Sequence, residues 1–290
     1  MLRRDLLMAG PAFCAGAAGA TAAGDLGRLR YPRVGREVPE DELYPWVLLR
    51  AALAASGVTF RLEPSSSVMV QSRFLRELEI GSGEVDVGWT MTSAERERSL
   101  LPVRVPIFRG LYGWRLLFLR PGMPAVQREA LARARTVKDL QPFRFVQGED
   151  WADTQVLRAN GLNVLTSTHH DHLFSLLAQG KADLFPRAAA EIWWEKDRRG
   201  EALEVEPNLV LRYPAAIYFF VSPGRHALAA ALERGLRALA RQGEFERLFK
   251  RHLSEALDRS GLQQRRVIEL HNPLLSPQTP LKDAALWYRP

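Results

Sequence analysis

Residues 83–96 read GEVDVGWTMTSAER: a Gly turn, two valines around an acid, then Trp89, Thr90, Thr92, Ser93 and Arg96. Val85 and Val87 alternate with polar neighbours, as the residues of a short half-buried strand do. Beyond the valines come an indole, hydroxyls and a guanidinium, groups suited to hydrogen bonding at a surface rather than to filling a core. In an open α/β sheet the ligand crevice lies beyond the carboxyl ends of the strands, which is where these residues emerge. The stretch therefore predicts an α/β sheet with a polar site at the end of one strand.

The flanking sequence agrees. Residues 29–34 predict a strand. Pro39, Glu40, Asp41 and Glu42 then open a helix in which Leu43, Trp46, Val47, Leu53 and Ala54 recur at helical spacing up to Gly57. Val58, Phe60 and Leu62 alternate as a second strand, and Phe74, Leu75 and Leu78 mark a helix that ends near Gly81. The extended run 114–119 stops at Pro121-Gly122, and the run 216–221 stops at Pro223-Gly224. Between them a second strand–helix alternation fills residues 136–199. Two similar crossing runs predict one lobe inserted in another. The expected division is 24–120 for the first part of lobe 1, 121–212 for lobe 2, 213–257 for the return to lobe 1, and 258–290 for an extended tail pinned by Trp287 and Tyr288.

Composition narrows the function. The 290 residues, 47% of them hydrophobic, suffice for two moderate cores. The net charge is +7, and 5 lysines among 40 basic residues leave 35 arginines, a bias toward carboxylate or phosphate recognition. These arginines are dispersed among 33 acids without a dense basic block, so nucleic acid is not an expected partner. At the start, Arg3-Arg4 precede an apolar run from Leu6 to Ala20, and Ala20-Thr21-Ala22 offers a small-x-small cleavage site. A signal peptide over 1–23 and a periplasmic mature protein are expected, exported by the Sec route or, given Arg3-Arg4, by the twin-arginine route. The sole cysteine, Cys14, falls inside that segment, so the mature chain has no disulfide.

The order of segments resembles the bacterial extracellular solute-binding proteins of family 3, the amino-acid-type substrate-binding proteins of ABC transporters. Three pieces carry the resemblance: LEIGSGEVDVGWTMTSAER, LFSLLAQGKADLF and ALERGLRALARQGEFERLFKRHL, in that order over residues 29–257. The resemblance implies a two-lobed type II periplasmic-binding-protein-like fold with a ligand cleft between the lobes. It also implies that Arg96 grips a ligand carboxylate, with Ser93 or Thr92 donating to the same anion. A planar guanidinium suits this task because it presents paired donors to two oxygens. The alternative for Arg96 is a surface pair with Glu95 or Glu97.

Lobe 2 is expected to contribute the turn 147–154, where a strand meets a helix N-terminus whose free N–H groups attract anions. Gly148, Trp151 and Thr154 are the candidates there, with Trp151 either stacking on the ligand or packing on its own lobe, and Asp153 favouring the helix dipole. Trp89, Thr90 and Arg187 complete the set. One departure stands out: relatives that bind α-amino acids place an Asp five residues after the Asp of their "ADA", and the same count from Asp183 lands on Ala188. An anionic ligand is therefore expected, with zwitterionic amino acids kept open because Asp86, Glu149 or Asp153 stands near in sequence to the site residues.

No cofactor is expected, and no metal. Thr168-His169-His170-Asp171-His172 is rich in ligating groups, but adjacent helical residues face different ways. The chain lacks Gly-x-Ser-x-Gly and His-Glu-x-x-His, and its Gly-x-Gly meets a strand rather than a helix. The expectation is a monomeric binding protein, not an enzyme, that serves a membrane permease. The alternatives are a sensory module for a membrane signalling protein and, on fold analogy, a dehydratase.

Overall fold

The computed structural model describes residues 25–33, 43–200 and 203–290; the expected signal peptide and Cys14 lie outside the described residues. The chain runs through β1 (Asp25–Arg33), α1 (Tyr44–Ala55), β2 (Thr59–Val68), α2 (Gln71–Ile80), β3 (Val87–Met91), α3 (Arg96–Ser99) and β4 (Leu101–Val103). In α1, Pro45 sits in the first turn, where a missing N–H costs nothing, and Trp46, Leu49 and Leu53 form the buried stripe. β1 pairs in parallel with β2, while β3 and β4 flank β11 (Ile217–Val221) in an antiparallel sheet. Helices α9 (His226–Arg241) and α10 (Glu244–Ser260) return to this first lobe, where α9 packs on α1.

Lobe 2 comprises β5 (Trp114–Leu119), α4 (Ala125–Arg133), α5 (Val137–Leu140), β6 (Arg144–Gly148), α6 (Ala152–Ala159), β7 (Asn163–Ser167), α7 (His170–Ala178), β8 (Leu184–Ala188), α8 (Ile192–Arg199), β9 (Glu204–Val205) and β10 (Leu209–Arg212). A further strand, β12 (Arg266–Glu269), joins from the C-terminal segment, giving the order β12-β10-β5-β8-β6-β7 with β9 also on β5. Phe118, Phe145, Phe174 and Phe185 fill the interior against Leu173 and Leu177. Each such side chain contributes about 1.5–3 kcal/mol by leaving water. The architecture is a two-lobed α/β fold.

Two placements differ from the sequence reading. The run 114–119 is not a free crossing strand: β5 is bonded along its length to β8 and at its ends to β9 and β10, so the first crossing lies at Gly113. The reason is burial, since all six β5 residues are buried and lobe 2 needs a strand there. The second crossing is adjacent, with Tyr213 N–H donating to the Gly113 carbonyl at 3.0 Å. A Cβ on Gly113 would lie 1.9 Å from the Tyr213 carbonyl oxygen, so only glycine permits the approach.

The tail also departs from a simple extended segment. β12 pairs in parallel with β10 over four residues, from Leu209↔Arg266 to Arg212↔Glu269. The chain then leaves lobe 2 and runs along lobe 1, ending with Trp287 over Gly110 and Tyr288 N–H on the Arg109 carbonyl.

Candidate functional site

A cavity of about 180 Å³ lies between the lobes. Its position follows from the topology. Strands β3, β6 and β8 all end at this edge, and the antiparallel strands β5 and β11 begin there, with Arg115 opposite Ala188 and Ile217 opposite Met91. Lobe 1 supplies Gln71, Trp89, Thr90, Met91, Arg96 and Ile217; Tyr112 stands at the crossing; lobe 2 supplies Arg115, Trp151, Asp153, Arg187 and Glu191.

Among the expected residues, Trp89, Thr90, Arg96, Trp151 and Arg187 line this cavity. Thr92, Ser93, Gly148 and Thr154 do not line it; they hold the turns that do. Thr92 donates its hydroxyl to Glu97 at 2.6 Å, and Ser93 Oγ accepts the Arg96 backbone N–H at 3.1 Å. Thr154 donates to the Gly148 carbonyl at 2.6 Å. Gly148 leaves room for Trp151, whose ring atoms would lie 2.4 Å from a Cβ built there. Trp151 both lines the cavity and packs on its own lobe, stacked on Phe185 with the Arg187 guanidinium 4.7 Å from its ring centre.

The three cavity arginines are in different states. Arg115, with a side chain 2% exposed, pairs with Asp153 and with Glu191 at 3.1 Å, and its Nε donates to the Tyr213 hydroxyl at 3.0 Å. Burial opposes its charge, but Asp153, Tyr213 and Glu191 together raise its pKa far above the ordinary value. Arg187 makes a two-pronged pair with Glu195 at 2.7 and 2.6 Å, and reaches Glu191 at 3.2 Å. Arg96 has no such partner among the described residues. Its Nη1 donates to the Met91 carbonyl at 2.6 Å, and burial pulls its pKa down despite the distant pull of Asp153, Glu95 and Asp150. Among the described residues Arg96 forms no ion pair with Glu95 or Glu97, although the Glu95 charge acts on it, and Glu97 is engaged by Thr92, Arg104 and Ser276.

The remaining sequence candidates lie elsewhere. Asp86 accepts the Arg30 N–H at 2.7 Å and pairs with Arg225, while Glu149 is exposed and absent from the cavity wall. Ala188 is buried and donates its N–H to Glu191 at 2.9 Å, so the carboxylate nearest the expected position is carried three residues later. The three histidines of 169–172 face Thr168, Glu195 and Ser167 respectively, without converging on a common point. Gln71, Tyr112, Arg115 and Glu191 are not singled out by the sequence. Arg115 carries a usable signal, a lone charge inside the apolar run WRLLFL, which needs a buried partner.

The fold and cleft define a two-lobed α/β architecture of the type II periplasmic-binding-protein kind. It is the fold of the amino-acid-type solute-binding proteins, as solved structures show. An ancestral arginine-binding protein bound to arginine superposes with a TM-score of 0.57 at 15% identity, covering 80% of this chain and 99% of that one. A binding component of an ABC transporter from Wolinella succinogenes, complexed with lysine, gives 0.57 at 16% identity, covering 79% and 96%. The VFT2 domain of Bordetella pertussis BvgS gives 0.57 at 16% identity, covering 79% and 93%. No family model matches the sequence, and no curated relative matches it.

Proposed function

We propose that this chain is an extracytoplasmic solute-binding protein that captures a small carboxylate-bearing compound between its lobes and delivers it to an ABC-type permease. The observation that carries the reading is Arg96: a desolvated guanidinium on a cavity wall, lacking the carboxylate partners that Arg115 and Arg187 possess. Such a cation is stabilised by an arriving anion, and its planar fork suits a carboxylate. Trp89, Thr90 and Gln71 face the same space from lobe 1, and Trp151 and Arg187 from lobe 2, so one ligand touches both lobes and favours their closure. Thr90 donates to Gln71 at 2.8 Å, which orients that amide beside the ligand space. Zwitterionic amino acids remain within the class, with Asp153 and Glu191 on the opposite wall. The likeness to a lysine-complexed binding component of an ABC transporter supports the delivery role, and the N-terminal Arg3-Arg4 and apolar run support export.

The test is a thermal-shift panel of amino acids, simple carboxylates and neutral sugars, backed by mass spectrometry of whatever co-purifies. A ligand at a hundred times its dissociation constant stabilises by about 2.7 kcal/mol. Stabilisation by carboxylates and not by sugars supports the reading; stabilisation by sugars alone defeats it. A sensory role is the second reading, favoured by the BvgS domain among similar folds. Stimulation of a permease ATPase by the loaded protein, rather than of a kinase, separates the two. Conversion of a bound compound would instead indicate an enzyme.

A further inference from the structure

The C-terminal segment after α10 is bonded alternately to both lobes, and each attachment is specific. On lobe 2, β12 completes the sheet edge along β10, and the Leu270 N–H donates to the Arg212 carbonyl at 2.7 Å. At the next residue, Asn160 at the end of α6 grips His271 from both sides, accepting its N–H at 2.9 Å and donating to its carbonyl at 2.7 Å. Asn272 then donates to the carbonyl of Pro214, at the second crossing, at 2.8 Å and accepts the Leu274 N–H at 3.0 Å. From there the segment belongs to lobe 1. The Leu274 carbonyl accepts the Ala94 N–H at 2.9 Å, and Ser276 donates to Glu97 at 2.9 Å. Ala94 and Glu97 flank Arg96 in its turn.

A second tie lies at α8. Arg259 near the end of α10 pairs with Asp197 through two bonds of 2.6 and 2.8 Å, and Trp193 Nε1 donates to Ser260 at 2.8 Å. Lobe 2 is thus attached at the Gly113 and Tyr213 crossings, at α8, and through the strap. The strap residues Ile268, Leu270, Asn272 and Ser276 are all buried, which marks a fixed attachment rather than a loose covering.

We propose that this segment is a strap that limits how far the cleft opens without ligand and couples the Arg96 turn to lobe 2. The anchors at His271 and Leu274 are three residue steps apart, a reach of at most about 11 Å. Separation beyond that slack breaks either the Asn160 grip or the Ala94 bond. A protein joined only at its two crossings has no such limit. The strap also makes the Arg96 turn respond to lobe 2, since movement of β12 pulls on the residues bonded to Ala94 and Glu97.

Opening is read in the full chain, without any ligand, as a spin-label distance between Arg73→Cys on α2 and Gln155→Cys on α6, with Cys14→Ser to remove the native thiol. Both labelled positions are exposed. The parent is expected to give one narrow distribution. Asn272→Ala combined with Ser276→Ala weakens the lobe 1 end, leaving the backbone bond between Ala94 and Leu274 as the anchor there, and is expected to broaden it toward longer distances. Asn160→Ala removes the grip on His271, so that the strap is held to lobe 2 from Leu270 backward and gains slack, and it is expected to broaden the distribution in the same direction; the test survives if one variant does not fold. A parent distribution as broad as those of the variants, or variants as narrow as the parent, overturns the proposal. No ligand enters the comparison, so its outcome is independent of the carboxylate reading.

Discussion

Asp153 and Arg115 face each other as a buried ion pair on the lobe 2 wall, and the Tyr213 hydroxyl donates to the same carboxylate oxygen. Removing one member of such a pair leaves the other charged and desolvated. Asp153→Ala is expected to cost about 3 kcal/mol, the lower end of the usual range because Glu191 still reaches Arg115. Denaturant unfolding gives the value. A loss below about 0.5 kcal/mol, typical of a surface substitution, would show that the pair is solvated in solution.

Arg96→Ala should behave in the opposite way. Its guanidinium donates to a backbone carbonyl rather than to a carboxylate, and it carries a burial penalty, so stability should change little. Affinity for a carboxylate ligand should fall by roughly 30-fold or more, corresponding to about 2 kcal/mol and upward for a truncated buried charge pair. Arg96→Lys should recover only part, because an ammonium lacks the two-pronged fork. Calorimetric titration of the three proteins with the best compound from the panel decides it; equal affinities would remove Arg96 from the site.

Gly235 on α9 is pressed against α1: a Cβ there would lie 1.7 Å from the Ala52 carbonyl oxygen. The obstacle is helix backbone, which cannot turn aside as a side chain would. Gly235→Ala is expected to force α1 and α9 apart and to cost about 1–3 kcal/mol, despite the better helix propensity of alanine. Thermal melting gives the sign, and a raised melting temperature would contradict the close packing.

Acid should loosen lobe 2 through Glu195. Burial alone would raise the pKa of this carboxyl, but the Arg187 guanidinium and the His170 ring hold it well below the usual carboxylate range. A carboxyl whose folded pKa is depressed contributes stability that is complete above its unfolded pKa of about 4.5 and is lost as pH falls toward the folded value. Stability should therefore decline below about pH 4.5, and Glu195→Gln should flatten that part of the profile. Chemical denaturation across the acid range up to neutrality measures both curves, and parallel slopes would mean that another carboxylate dominates.

Much of the fold is legible in the sequence because it is local. The valines at and just before the start of β3, the stripe of α1 and the Gly stops after α2 and α7 each announce themselves within a few residues. Helix α4 escapes such a reading because it is almost uniformly exposed, with Leu131 its one buried residue, so no periodicity marks it. β12 escapes it for a different reason. Four residues ahead of a proline-rich tail carry no strand pattern of their own, and the open edge of β10 defines them. The site divides in the same way. Arg96 stands in a recognisable turn, whereas Arg115 meets partners 38, 76 and 98 residues away, which no local spacing reveals.

The strand supplied by residues 266–269 also orders the assembly of the molecule in time. Lobe 2 takes its edge from residues that follow the two closing helices of lobe 1 in the chain. Until those residues dock, β10 presents an unpaired edge, the kind of surface that recruits stray strands. Pairing across so long an intervening chain is slow to form, because loop closure must precede the gain. A chain in which this segment has not docked, or from which it has been cut, therefore exposes a sticky margin that the folded protein conceals, and it is in that form that chaperone capture and aggregation should concentrate.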